Sequence, residues 1–354
     1  MATDWQSISK SAQAELLQSL PAKWKIDAKS YGALSDVTRV PLICGILSQR
    51  QIEITDLTVT ELTRHIRSHA LKATEVLEAS PHGLPFLISF VKGRITTRGY
   101  VINKAVPVVS DHDSGVVRII RDAGAVFFCR TTMTQTGFIL ETVSNLWGGT
   151  LNPYNRRLGA GGSSGGDGAL IAMKGCPIAP STDIGGSIRA PAAFNGLYGI
   201  RPTAMCVPKN LWEGTMTGQM STRDFAGPVC HSMDDVRLFT QLLITNKQAR
   251  YDTNAVPVPW RQITLPEKLS IGIMKWDRVV LWGAGYEVVE FEPPFDCWEL
   301  AKCNATGEPL VPAFAELLKV YNTRCLAASE VLKLNLKMRA FKVLFANAAT
   351  AFTA

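Results

Sequence analysis

No run of about 18 apolar residues occurs in this chain, so no segment reads as a membrane-spanning helix. None of the eight cysteines (Cys44, Cys129, Cys176, Cys206, Cys230, Cys297, Cys303 and Cys325) forms a Cys-x-x-Cys pair. Several sit in apolar runs such as Val126–Cys129, which suits reduced, buried thiols rather than a disulfide frame and points to a cytoplasmic protein. The start, Met1-Ala2-Thr3-Asp4-Trp5, lacks the basic-then-apolar order of a secretion signal. Net charge is +7, but the basic residues are scattered, with no block of five or six and no basic–aromatic module. Nucleic acid is therefore not expected as a partner. Three glycine-loop motifs are also missing: the Gly-Lys-Ser/Thr ending of a phosphate-binding loop, a complete Gly-x-Gly-x-x-Gly, and a Gly-x-Ser-x-Gly elbow.

Apolar residues make up 46% of the 354, enough for a substantial core in one large domain or two smaller ones. The apolar spacing predicts a helix over residues 8–20, ended by Pro21, and another over 59–69, with Thr58 and Glu61 at capping-box spacing. His65 and His69 are four apart there, a metal-like spacing without a third ligand nearby. A short helix is expected over 72–79 and a buried strand over Phe86–Val91. Asp113 or Ser114 caps a helix from Val116, which ends at Gly124 before a strand at Ala125–Cys129. Helix, glycine, apolar strand is the order of α/β architecture. Further on, a helix is expected from Ser232 to about Leu243, strands at Leu269–Met274 and Glu287–Phe291, and an amphipathic packing helix within Pro312–Phe345.

The most informative stretch is Gly161–Pro202. It holds two serine-bearing glycine turns, Gly161-Gly162-Ser163-Ser164-Gly165-Gly166 and Asp183-Ile184-Gly185-Gly186-Ser187. An apolar helix pattern, Ala169–Met173, and a strand around Ile178 lie between them. Glycine runs expose backbone N–H groups, and two serines presented that way suggest acyl transfer.

Residues 160–203 closely resemble the amidase signature family of serine hydrolases. The matching segments are GGSSGGDGALIA at 161–172 and TDIGGSIRAPAAFNGLYGIRPT at 182–203, with serines 24 positions apart. Glu141-Thr142-Val143 before Ser144-Asn145, and Gly196–Pro202, look like the fungal acetamidase or general-amidase branch. The resemblance implies an α/β fold, a mixed, largely parallel sheet covered by helices on both faces. It implies one domain over 1–354, shortened at about 76–92, at 277–285 and at the C-terminus. It further implies Ser187 as nucleophile and Ser163, after a cis peptide bond, as proton relay. The amides of Ile184, Gly185, Gly186 and Ser187 would form the oxyanion hole, with Ser164 and Asp183 supporting. Arg189 either supports the loop directly or holds Asp183 or loop carbonyls.

The family's lysine stands four residues after Gly-aliphatic-Pro. Here Gly83-Leu84-Pro85 leads to Ser89, while Val91-Lys92-Gly93 matches a downstream, non-catalytic lysine of the pattern. By the resemblance the segment with the catalytic lysine is deleted here; Lys92, at the end of an apolar strand, is the candidate base if the register slips to bring it into the role. The expected function is hydrolysis of a small carboxamide without a metal or organic cofactor, by a chain acting alone or as a homodimer with no stable membrane insertion. The alternatives are a catalytically impaired relative that only binds a ligand, and an amidotransferase subunit.

Overall fold

The computed structural model describes residues 5–79, 84–85, 91–107, 109–210, 223–245, 250–264, 270–273 and 287–290. The chain divides into two compact units, Met1–Trp260 and Arg261–Ala354. In the second, β10 (Ser270–Ile273) and β11 (Glu287–Glu290) pair in parallel, close to the two strands expected there. The helix expected within 312–345, and all but Val91 of the strand expected over 86–91, lie outside the described residues.

The first unit opens with α1 (Trp5–Ser19), then the short helices α2 (Ala28–Tyr31) and α3 (Val40–Ile43). Next come α4 (Gln49–Thr55), α5 (Val59–Arg67) and α6 (Ala73–Ala79). β1 (Leu84–Pro85) and α7 (Ile102–Ala105) precede α8 (Gly115–Asp122) and β2 (Phe127–Cys129). Two small antiparallel hairpins follow, β3 (Val143–Ser144) with β4 (Gly148–Gly149), and β5 (Leu151–Asn152) with β6 (Asn155–Gly159). Then come α9 (Gly165–Ala172), β7 (Ile178–Asp183), α10 (Arg189–Phe194), β8 (Tyr198–Gly199), β9 (Phe225–Cys230) and α11 (Met233–Thr245).

Caps set the helix starts where short polar residues precede apolar ones. Thr58 and Glu61 form a complete capping box at α5, and Ser48 with Gln51 forms another at α4. Ser114, not Asp113, caps α8 by accepting from the Val117 amide. α5 ends at Arg67, and His69 follows in a turn at φ 58°, so the two histidines do not share a helix face. α1 forms over 5–19 as its spacing predicts, yet Leu16 and Leu17 remain exposed. Polar contacts fasten it instead: Ser9 Oγ donates to the carbonyl of Asn145 at 2.8 Å, and Gln13 Nε2 to that of Leu146 at 2.9 Å.

The pairing is mixed. β1 and β2 run parallel, while β7, β9 and β8 form a three-stranded antiparallel sheet in that order. Adjacent residues of a strand point to opposite faces. Ile178 and Cys230 pack with Val116, Ile119 and Ile120 of α8 and Phe239 and Leu243 of α11. Ala179 and Val229 pack with Ile171 of α9 and Ala192 of α10 on the other side. The sheet is thus a buried layer between two helix pairs. β9 contains a proline, Pro228, directly opposite Pro180 of β7. Two facing prolines can exchange no ladder bonds, so this is a non-bonded pair, and β8 ends at Gly199, opposite Val229. The missing N–H therefore falls where no strand needs it.

α11 and α5 are joined by one carboxylate. Buried Asp235 accepts from the amides of Val59 (3.1 Å) and Thr60 (2.9 Å) and from the Thr60 hydroxyl (2.8 Å). Asp235→Ala leaves these donors unpartnered and should cost about 1–3 kcal/mol of stability. Asp235→Asn, which keeps one acceptor oxygen, should lose less. Urea unfolding of the three proteins measures both differences.

Candidate active site

The first serine turn is built where neighbouring backbone leaves no room for side chains. Chain leaving β6 passes buried Ala160 and reaches Gly161 at φ 75°. The Gly162–Ser163 peptide is cis. A Cβ on Gly162 would sit 2.4 Å from the Glu141 amide nitrogen, one on Gly165 2.4 Å from the Thr142 hydroxyl, and one on Gly166 2.4 Å from the Thr132 carbonyl oxygen. These clearances explain the glycines that open α9, which begins at Gly165, four residues before the apolar pattern that marks it in sequence. Glycine is a poor helix former, but only glycine admits such close approach. Ser163 is 3% exposed and Ser164 is fully buried.

The second turn is organised by Asp183, at the end of β7 and inaccessible to solvent. Its carboxylate accepts from the amides of Gly186 (2.6 Å) and Ile188 (3.1 Å). Arg189 adds Nε and Nη2, each at 3.0 Å, and its own amide at 3.4 Å. Burial raises the Asp183 carboxyl, but Arg189 and the two amides together outweigh it and hold it below the usual carboxylate range. Of the two roles open to Arg189, this geometry is that of holding Asp183. The same network takes the Gly186 N–H, one of four amides expected to line an oxyanion hole. Among the described residues, no acceptor is paired with the amides of Ile184, Gly185 and Ser187. Ser187, 5% exposed, ends this turn.

The two turns meet. The Ser164 amide donates to the Ser187 carbonyl at 3.3 Å, and Ser164 Oγ donates to the Thr182 carbonyl at 3.4 Å. Gly161 lies against Ala190 and Pro191 of α10, and Asn195 Nδ2 donates to the Ala160 carbonyl at 2.8 Å. Lys92 lies elsewhere in kind: it is exposed, on a turn, its own amide donating to Asp113 at 2.8 Å. Among the described residues no hydrogen bond links Lys92 to Ser163.

Two residues that lie within the family-matching motifs, but to which sequence reasoning gave no role, complete the surroundings. Thr142, 1% exposed, contacts the first turn through its hydroxyl. Asp167, on the first turn of α9 and fully buried, accepts from Thr131 Oγ1 at 2.7 Å and from Ser181 Oγ at 2.5 Å. It thereby ties α9 to β7 and to the segment after β2. Burial pushes its carboxyl up to about 7, and the two hydroxyl bonds only partly oppose this. In sequence Asp167 is one polar residue inside a glycine–alanine helix, and nothing local reveals its partners. Nearby Cys129 is pushed up to about 12 by burial and by Asp167, which keeps it a thiol.

The family model described as Amidase matches residues 49–295. An amidase of Gibberella zeae is 44% identical, the match spanning 99% of this chain and 78% of that protein. That alignment runs over 428 residues, more than the 354 present here, so the relative carries internal segments that this chain lacks. Acetamidases of Emericella nidulans and Aspergillus oryzae are 33% and 36% identical, and the matches span 55% of each. Among solved structures, a fatty acid amide hydrolase superposes with a TM-score of 0.87 at 24% identity, over 99% of this chain and 77% of that one. That likeness shows the shared α/β fold.

A folded-state carboxyl raised to about 7, against an ordinary value of about 4 unfolded, binds its proton more tightly when folded. Its effect on stability is therefore most favourable below about pH 4, declines as pH rises from about 4 to about 7, and is constant above. Asp167→Asn removes this titration. The melting temperature of the variant relative to the parent should rise between pH 5 and pH 8, as thermal melts at each pH will show.

Proposed function

The chain belongs to the amidase family, and we propose that it hydrolyses a small carboxamide to carboxylate and ammonia through an acyl-enzyme on Ser187. One observation carries this reading: the Ser164 amide bonds to the Ser187 carbonyl, so both serine turns share one buried place. In the proposed reaction Ser187 Oγ attacks the amide carbon as its proton passes to Ser163 Oγ, whose own proton moves to a base. Charge developing on the substrate oxygen is met by the main-chain amides of Ile184, Gly185 and Ser187. Preorganised donors of this kind are each worth about 100- to 1,000-fold in rate. Gly186 contributes its positive φ, 131°, and its bond to Asp183, which fix the direction of the loop. Proton return to the nitrogen releases ammonia, and water then cleaves the Ser187 ester. As proposed, the reaction needs no metal or organic cofactor.

We further propose Lys92 as the base. A lysine acts as base only when desolvation or a charged neighbour favours its neutral form. The exposure of Lys92 therefore favours a second reading, in which the chain keeps the serine pair and the amide cradle but turns substrate over poorly or only binds it. The proposed ligand class in either case is small aliphatic or aromatic carboxamides; the relatives named acetamidases support the small aliphatic one.

A serine-directed fluorophosphonate should label Ser187, and Ser187→Ala should abolish labelling; mass spectrometry of the labelled peptide reads the position. Lys92→Ala should remove amide hydrolysis while leaving the melting temperature within a degree or two. Hydrolysis surviving in Lys92→Ala sinks Lys92 as base. Labelling without hydrolysis in the parent protein supports the second reading.

A further inference from the structure

Thr142 stands immediately before β3, in a segment that the proposed chemistry does not use. Its side chain is 1% exposed. The hydroxyl donates to the Gly161 carbonyl at 2.8 Å and accepts from the Gly165 amide at 2.9 Å. It also lies 3.3 Å from the Ser163 carbonyl oxygen. Its principal partners therefore flank Ser163 on both sides, two residues before it and two after. The Thr142 carbonyl in turn accepts from the Thr150 amide at 2.8 Å, so the strand segment bearing the hydroxyl is itself held. Close approach depends on two glycines: a Cβ on Gly165 would lie 2.4 Å from the Thr142 hydroxyl, and one on Gly162 would overlap the Glu141 backbone.

We infer that Thr142 is a positioning residue that sets the direction of Ser163 Oγ toward Ser187 by clamping the Gly161–Gly165 backbone from outside. The inference rests on the proposed acyl-transfer role of the serine pair and deepens it. A hydroxyl suits the task because it both donates and accepts. It satisfies a carbonyl and an amide that a helix start and a tight turn leave without other partners. Valine has nearly the same shape and satisfies neither, so both buried groups are orphaned and the turn must shift to reach other partners. Small displacements of reacting groups are costly, on the order of 100-fold in rate for about 1 Å. Serine keeps the hydroxyl and loses only a methyl group.

The test compares the parent with Thr142→Val and Thr142→Ser by the second-order rate of fluorophosphonate labelling and by melting temperature. Thr142→Val should label about 10- to 100-fold more slowly. Thr142→Ser should stay within about threefold of the parent, because it restores the hydroxyl. The labelling pH profile of Thr142→Val should move relative to the parent at temperatures where both are folded, which loss of packing alone would not produce. If Thr142→Val labels at the parental rate, or Thr142→Ser is as slow as Thr142→Val, the assignment falls. Should Thr142→Val fail to fold, the threefold limit on Thr142→Ser still decides it. Absence of labelling in the parent would instead overturn the hydrolase reading. Crystal structures of parent and variant then decide the clamp: a displaced Ser163 supports it and an unmoved one refutes it.

Discussion

A single buried carboxylate, Asp183, gives the second serine turn its form. Burying a carboxylate is unfavourable unless hydrogen bonds and an opposite charge offset it. Here the Gly186 and Ile188 amides and the paired nitrogens of Arg189 supply that compensation. The chain between residues 183 and 189 must therefore curl around one point. That curl brings the Ser187 carbonyl to the Ser164 amide, and with it the first turn to the second. It also uses up the Gly186 N–H. A loop that looks in sequence like four equivalent donors is in the fold divided, one amide serving the loop and three paired with no acceptor among the described residues.

Much of this was legible before the fold was seen, for reasons that are local. Thr58 with Glu61, Ser114 ahead of Val116, and Pro21 after Leu20 act on residues three or four away, so a helix end can be read from its own sequence. The pairing of the serine turns was legible for a different reason: the glycine pattern is long and matches a family. What stayed hidden depends on partners distant in the chain. Gly165 and Gly166 read as turn residues but open α9, and glycine is needed there because Thr142 and Thr132 lie too close for a Cβ. Asp167 takes its bonds from Thr131 and Ser181, 36 and 14 positions away. β9, Phe225–Cys230, carries Gly227 and Pro228 and does not announce a central strand. Its neighbours explain both: a side chain on Gly227 would overlap the Ile200 carbonyl just after β8, and Pro228 faces Pro180 of β7. The leucines of α1 misled in the opposite sense: their spacing predicts a packing stripe, but Ser9 and Gln13 make the attachment.

The bonds that fix the two serine turns form a set closed within one part of the sequence. Thr131, Thr142, Ala160, Asp167, Ser181, Asp183 and Asn195 all bond to one another's segments, and β9 closes the sheet beneath them. Among the described residues these hydrogen bonds all join positions between 131 and 230, while the sheet under them also packs on α8 and α11. A chain that lacks internal segments found in its Gibberella zeae relative can therefore keep the cradle intact, provided those segments lie outside that span. The proton acceptor is a different matter, because Lys92 and the position of the family's lysine both precede the set. In the proposed mechanism, the geometry of the serine turns and the supply of a base are thus separable. In that mechanism the first rests on hydrogen bonds among residues 131–230, laid on a sheet that α8 and α11 pack against. If a lysine upstream is the base, as proposed, the second depends on its losing water, and that step separates the proposed hydrolase from the ligand-binding reading.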